Sequence, residues 1–183
     1  LRVFYREAGN PANPTLLLLH GFASSSFQFR DLIPLLADKF HIVAPDLPGF
    51  GFTKVPEARD YTYSFDAFGE TLTQFVDAVG LQHYALYVFD YGAPSGLRLA
   101  LNYPQRVTGF ISQNGNAYLE GLGDAWAPVR AYWEHPSPEN RQMVADAVLN
   151  MEGIRWQYLH GVSDPQLVAP EGYYLDTLLL DRP

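Results

Sequence analysis

The stretch L-Y-V-F-D-Y-G-A-P, residues Leu86–Pro94, decides the fold of this chain. Residues Tyr84–Val88 begin just before this stretch and include its first three residues. They are apolar or small, with aromatic and branched side chains, which is typical of a buried parallel strand. From Ala93 onward the apolar residues recur at helical spacing. Asp90 therefore stands where a predicted strand turns abruptly into a helix, at the carboxyl end of a parallel sheet.

A carboxylate on such a turn has two interpretations. The backbone N–H groups and the dipole of a helix N-terminus favour an anion, and Gly92 and Ala93 are small enough for strand and helix to cross closely. This is the geometry of a nucleophile elbow, with Asp90 in place of the usual serine. The ordinary alternative is that Asp90 caps the helix, a common role for aspartate. The turn alone does not decide between the two.

Composition bounds the class of protein. The chain has 183 residues, of which 48% are hydrophobic, so it can bury a real core. Its net charge of -8 argues against nucleic acid and anionic membrane surfaces as partners. There is no cysteine, which excludes disulfides and cysteine metal sites, and the longest aliphatic run, Leu16–Leu19, is too short to span a bilayer. We expect a soluble, cytoplasmic protein without a metal or cofactor.

Strand-like runs alternate with helical patterns through the first part of the chain, near residues 15–19, 41–45, 84–89 and 107–113. A helix capped by Ser64 and stopped at Gly80 lies between the second and third runs. This alternation predicts a parallel sheet covered on both faces. Right-handed crossovers then bring the loops after the strands to one edge of the sheet, with His20, Asp46, Asp90 and Gln113 at or near their starts.

Two more elements are predicted near the N-terminus. Leu1–Arg6 alternates and predicts a strand. Ser24–Ser26 predicts the cap of a helix that reaches about Ala37, and Pro34 should kink or shorten that helix.

The residue pattern changes after Gly115, where strand-like runs end and aromatic residues become frequent. Ser137 followed by Pro138 predicts a helix start, and Gly153 and Gly161 are expected to bracket a short helical piece. We therefore divide the chain into a core at residues 1–117 and a small helical lid, or cap, at residues 118–183.

Three stretches are predicted to meet at one edge of the sheet: His20-Gly21-Phe22, Pro45–Gly51 and Asp90-Tyr91-Gly92. Their order and spacing resemble the α/β-hydrolase fold in its Asp-nucleophile branch, the epoxide hydrolases and haloalkane dehalogenases. The resemblance implies an α/β fold: a three-layer core with a mostly parallel sheet, followed by a helical cap. It also implies a small apolar organic substrate.

The resemblance assigns roles to the matching residues. Asp90 would attack a saturated carbon and form an alkyl-enzyme ester, whose hydrolysis passes through an oxyanion. The oxyanion-hole donors would be the backbone N–H groups of Phe22 and Tyr91. His20 and Gly21 would support the loop rather than transfer protons.

The leaving group separates the two activities within this branch. Dehalogenases usually hold halide with a Trp after the nucleophile, whereas this chain has Tyr91 there. The H-G-F motif of epoxide hydrolases is present, although Ala23 stands where they carry proline. We therefore favour an epoxide hydrolase-like activity over a haloalkane dehalogenase-like one. The candidate donors to the epoxide oxygen from the cap are Tyr118, Tyr132 and Tyr158.

The family's general base, a His near the C-terminus, has no counterpart among the histidines of this chain, which are His20, His41, His83, His135 and His160. We expect these residues to be the N-terminal part of a longer enzyme. A contrasting hypothesis is a non-catalytic hydrolase-fold remnant that binds a ligand or partner. If the protein ends here, Val107–Ser112 would be an unpaired edge strand, which predicts a homodimer or aggregation.

Overall fold

The computed structural model describes residues 1–182. The chain divides into two compact units, Leu1–Ala117 and a second that begins at Tyr118. Within residues 1–182, no helix is both long and apolar enough to cross a membrane.

The first unit is built on a five-stranded sheet. The strands are β1 (Tyr5–Ala8), β2 (Thr15–Leu19), β3 (His41–Pro45), β4 (Tyr84–Phe89) and β5 (Val107–Gln113). Their order is β1-β3-β2-β4-β5, and only β1 is antiparallel to its neighbour. The four parallel strands confirm the sequence prediction. The expected strand at Leu1–Arg6 is instead shifted to β1, because its ladder with β3 begins where Tyr5 pairs with Pro45.

Three helices belong to this unit: α1 (Leu32–Leu36), α2 (Phe65–Ala78) and α3 (Gly92–Asn102). The Ser64 hydroxyl caps α2 by accepting the Ala67 N–H at 3.2 Å, as predicted. The helix expected from residue 24 to about 37 is shortened, as predicted from Pro34, and it ends at Ala37, but it is not continuous with its serine cap, Ser25. A short 3₁₀ turn at Ser26–Phe29 precedes the five-residue α1. Pro34 has no N–H to donate to the carbonyl of Arg30, so an α-helix does not continue back through that position.

The sheet is covered on both faces, which makes three layers. Leu17 and Leu19 of β2 pack in a core that includes residues of α2 and α3. Leu16 and Leu18 face the other way and pack with Phe29 and with residues of α1. Alternate β2 residues thus fill two separate cores, which explains why this strand is continuously apolar.

The second unit contains helices joined by turns and loops, and no strand, in its described residues, 118–182. Its helices are α4 (Ala127–Glu134), α5 (Pro138–Val148), α6 (Met151–Leu159) and α7 (Glu171–Leu180). Ser137 caps α5 by accepting the Asn140 N–H at 3.2 Å, as predicted. The expectation that Gly153 precedes a helix is wrong: Asn150 caps α6 by accepting the Gly153 N–H at 2.8 Å, so the helix starts earlier.

Candidate active site

The carboxyl ends of three parallel strands place polar side chains at one edge of the first unit. His20 directly follows β2, Asp46 follows β3 and Asp90 follows β4. Because these strands are parallel neighbours, the residues that follow them come to the same edge of the sheet.

Asp90 has a strained backbone. Its φ is +48°, a left-handed conformation that is uncommon for residues other than glycine. The turn closes when the Ala93 N–H donates to the Asp90 carbonyl oxygen at 2.8 Å. There is no room for a side chain at Gly92, where a Cβ would lie 2.5 Å from the Leu19 carbonyl oxygen. A sharp turn from strand to helix, locked by close packing, is the form of a nucleophile elbow.

Two backbone N–H groups converge on one oxygen of the Asp90 carboxylate. Phe22 donates to Oδ1 at 2.8 Å and Tyr91 donates to the same oxygen at 2.6 Å. No donor within residues 1–182 reaches Oδ2. The N-cap position of α3 is Tyr91, and neither amide lies at the second or third helical position that a capping side chain would serve. The carboxylate is therefore held at one oxygen and open at the other.

Burial and hydrogen bonding act on the acidity of this group in opposite senses. Burial raises the pKa of Asp90, and the N–H groups of Phe22 and Tyr91 partly offset that rise because they stabilise the charged form. Burial, followed by the nearby charge of Asp90, raises the pKa of Tyr91 to about 12. The Tyr91 phenol is therefore neutral beside the carboxylate at physiological pH.

His20 joins the two loops next to Asp90. Its Nδ1 lies 2.9 Å from the Gly21 carbonyl oxygen, and its Nε2 accepts the Leu47 N–H at 2.9 Å. This pair of partners requires the neutral tautomer with the proton on Nδ1. Burial lowers the pKa of His20, which favours the same neutral form. The contacts are those of a loop support, with neither ring nitrogen left for proton transfer.

Gly21 lies directly against the nucleophile candidate. A Cβ at Gly21 would approach the Asp90 Cβ to 2.5 Å. Only glycine permits this approach, which brings the following N–H, that of Phe22, within reach of Oδ1.

Aromatic rings cluster around the side chain of Tyr91, the residue after Asp90, within the first unit. The Tyr91 ring contacts Phe65, Phe22 and Phe50 at centroid distances of 5.0, 5.6 and 6.1 Å. The Phe50 ring also packs edge-on to His20 at 5.7 Å. Sequence reasoning did not assign roles to Phe50 and Phe65. Phe50 lies in the Pro45–Gly51 motif, but nothing in the local pattern at Phe65 indicated this contact.

The remaining histidines of the first unit lie elsewhere. His41 begins β3 and His83 precedes β4, so both stand at the amino ends of parallel strands, at the opposite edge from Asp90. His135 and His160 are exposed residues of the second unit. Within residues 1–182, no group of three or more His, Cys, Asp or Glu side chains is arranged to hold a metal ion.

The three candidate tyrosines belong to the second unit and differ in environment. Tyr118 is exposed and Tyr132 is half-buried on α4. The Tyr158 hydroxyl on α6 donates to the buried Asp176 carboxylate on α7 at 2.5 Å. Tyr158 is therefore engaged in holding α6 to α7.

Comparison with known proteins agrees with this architecture. The chain belongs to the alpha/beta hydrolase fold family, whose model matches residues 14–165. It is 48% identical over 185 aligned residues to the uncharacterized hydrolase YNR064C of Saccharomyces cerevisiae. That alignment covers all of this chain and 63% of the yeast protein.

Haloalkane dehalogenases are also among the relatives. Haloalkane dehalogenase 2 of Mycobacterium tuberculosis is 35% identical over 113 residues, which are 62% of this chain and 38% of that protein. Cfl2 from Burkholderia cenocepacia superposes with a TM-score of 0.76 at 23% identity, over 96% of this chain and 61% of that one. A dehalogenase loop variant from Bradyrhizobium elkanii gives a TM-score of 0.68 at 26% identity, over 97% and 64% of the two chains. The chain thus spans less than two thirds of these matches.

Proposed function

We propose that this protein is a hydrolase that acts through Asp90 as a nucleophile and forms an alkyl-enzyme ester, with an epoxide as the preferred substrate. The observation that carries the proposal is the pair of N–H groups on a single carboxylate oxygen. A helix cap or a buried structural carboxylate has no need to gather two N–H donors on one oxygen and leave the other without a donor.

The first step uses the open oxygen. Asp90 Oδ2 attacks a saturated carbon, the new C–O bond forms, and the carbon–oxygen bond of the epoxide breaks. The electron pair goes to the epoxide oxygen, which takes a proton from a donor. With an alkyl halide the same attack expels halide and needs no proton. In both cases the N–H groups hold Oδ1 in place.

The second step uses the held oxygen. Water adds to Cγ of the ester and gives up a proton to a base, and negative charge develops on Oδ1. The N–H groups of Phe22 and Tyr91 already point at this atom, so they stabilise the charge without rearrangement. In the first unit, His20 is the only histidine at this edge, and both its ring nitrogens are engaged. We therefore expect the second step to be slow in this 183-residue chain.

The preference for an epoxide rests on the residues around Asp90. Tyr91 and Phe22 stand where a halide site would need indole or amide donors, and their rings contact one another at 5.6 Å. The epoxide oxygen also needs a proton donor, and the family resemblance implies a tyrosine for that role. Tyr118, Tyr132 and Tyr158 are the candidate donors, and Tyr158 also donates to Asp176. A dehalogenase is the second candidate, since relatives of that name match the chain.

Covalent labelling tests the proposal. The chain is exposed separately to styrene oxide and to 1-bromobutane, and the adduct is weighed by intact-protein mass spectrometry and located by peptide mapping. We expect one adduct on Asp90, formed faster with the epoxide. Asp90→Asn should abolish it, and Asp60→Asn, at an exposed carboxylate, should not.

The outcomes separate the candidate functions. Faster labelling by the bromoalkane, with release of bromide, would replace the epoxide assignment with dehalogenation. Labelling that persists in Asp90→Asn would refute the nucleophile assignment. A folded chain that neither reagent labels, yet that binds a small apolar ligand, would favour the non-catalytic remnant.

A further inference from the structure

A second buried carboxylate, Asp46, lies at the same sheet edge as Asp90. Its side chain is 1% exposed. Its Oδ1 accepts the Ser26 N–H at 2.7 Å and its Oδ2 accepts the Phe52 N–H at 2.8 Å. Within the described chain, no Lys or Arg pairs with it. Burial of a carboxylate costs free energy unless it is hydrogen-bonded. Breaking either of these two contacts should therefore be unfavourable.

One of these contacts fixes the segment that carries an oxyanion-hole donor. Ser26 closely follows Phe22, and the turn between them is tightened by the Ser24 N–H, which donates to the Gly21 carbonyl oxygen at 3.2 Å. The segment is held at Phe22 by Asp90 and at Ser26 by Asp46. We therefore expect a shift at Ser26 to move the Phe22 N–H.

The other contact fixes the loop that carries Phe50. That loop is attached by the Leu47 N–H to His20 and by the Phe52 N–H to Asp46. Between these attachments, the Phe50 ring contacts the ring of Phe22 at 6.2 Å. One carboxylate thus ties together two loops that also meet at the rings of Phe22 and Phe50.

Gly51 shows how closely the second loop wraps around this carboxylate. Its φ is +55°, and a Cβ there would lie 2.0 Å from Asp46 Oδ2. Both the backbone conformation and the contact require glycine. Any side chain at this position would displace the carboxylate or the loop.

From these contacts we propose that Asp46 is a positioning residue, whose buried carboxylate sets the position of the Phe22 N–H relative to Asp90 Oδ1. The inference rests on the proposed function of Asp90. It adds to that function the group that keeps the oxyanion hole assembled.

The first test uses Asp46→Asn and follows the pH dependence of labelling by styrene oxide. An amide keeps one acceptor but turns an N–H₂ group toward the other amide donor, so one loop is released. Weaker donation from Phe22 removes one of the interactions that lower the pKa of Asp90. The midpoint of the labelling profile should therefore move to higher pH. A loss of folded protein would lower the labelled fraction without moving the midpoint. Burial lowers the pKa of His20, which favours its neutral form.

The esters that styrene oxide forms on Asp90 also test how well the oxyanion is stabilised. Hydroxylamine cleaves the Asp90 ester by adding to Cγ, and this reaction does not need the enzyme's base. Loss of one oxyanion-hole donor costs about 10²–10³ in rate, and we expect misplacement of Phe22 to slow cleavage about tenfold or more. Gly51→Ala, which keeps the charge of Asp46 but presses on Oδ2, should act in the same direction. It serves as the second variant if Asp46→Asn does not fold.

An NMR measurement separates this inference from the proposed function. The Phe22 amide proton should exchange faster and shift upfield in whichever variant folds, and Asp60→Asn should leave it unchanged. A folded variant with an unchanged Phe22 amide and an unchanged labelling midpoint would overturn the role of Asp46. Failure of the wild-type chain to label, with a changed Phe22 amide, would refute the nucleophile and leave the positioning contact established.

Discussion

The crossing of α3 over β2 at Gly92 makes the site sensitive to a single methyl group. A Cβ there would lie 2.5 Å from the Leu19 carbonyl oxygen and 2.9 Å from that of His20. Ordinary contacts begin near 3.4 Å, so Gly92→Ala must push the start of α3 away from β2 by roughly 0.5–1 Å, because backbone cannot yield as a side chain can. We expect this overpacking to lower the free energy of unfolding by about 1–3 kcal/mol.

The displacement also acts on chemistry, because Asp90 and Tyr91 lie at the start of α3 and the loop of Phe22 follows β2. Misplacement of reacting groups by about 1 Å can cost about 10² in rate, so labelling of Asp90 should slow by one to two orders of magnitude. The melting temperature should fall by about 2–4 °C for each kcal/mol lost from the free energy of unfolding. Gly109→Ala is the matched control, since its Cβ would meet the Ala85 Cβ at an ordinary 3.6 Å. Equal melting temperatures and labelling rates for Gly92→Ala and the wild type would refute the close-approach argument.

Three further predictions concern stability and association. Burial raises the folded-state pKa of Asp90, so ionisation of this carboxyl opposes folding. The wild type should therefore lose stability as pH rises through that pKa, whereas Asp90→Asn should not lose this contribution. Thermal melts from acid to neutral pH measure the difference. Ser64→Ala removes the cap that accepts the Ala67 N–H, and should cost about 1 kcal/mol in chemical denaturation; no change would show that α2 does not depend on its cap. Within residues 1–182, β5 pairs on one side only and exposes Phe110 and Ile111, so we expect self-association by light scattering that Ile111→Lys weakens; a wild-type monomer at high concentration would contradict it.

The parallel strands and the elbow were predictable because their signals are local. β2 is a continuous apolar run because both of its faces are buried. The spacing of apolar residues changes from strand-like to helical at Asp90, and this change marks the turn directly. The candidate oxyanion donors followed from a family resemblance, and the structure brings both N–H groups to Asp90 Oδ1.

What could not be predicted depends on contacts between distant residues. Asp46 lies in a motif that was recognised, but its role depends on N–H groups of Ser26 and Phe52 that reach it only after folding. The engagement of Tyr158 with Asp176 joins two helices and has no local signature. The division of the helix expected at residues 24–37 was partly visible in Pro34, although the 3₁₀ turn before it was not.

The two oxygens of Asp90 are chemically alike but have different fates under the proposed reaction. Oδ1 is retained by the N–H groups of Phe22 and Tyr91, whereas Oδ2 leaves with the alcohol product when the ester is cleaved. A solvent oxygen then takes its place. In each cycle the carboxylate therefore transfers Oδ2 to the product and regains an oxygen from water. In heavy-oxygen water, a single turnover would leave the isotope in Asp90 and not in the product.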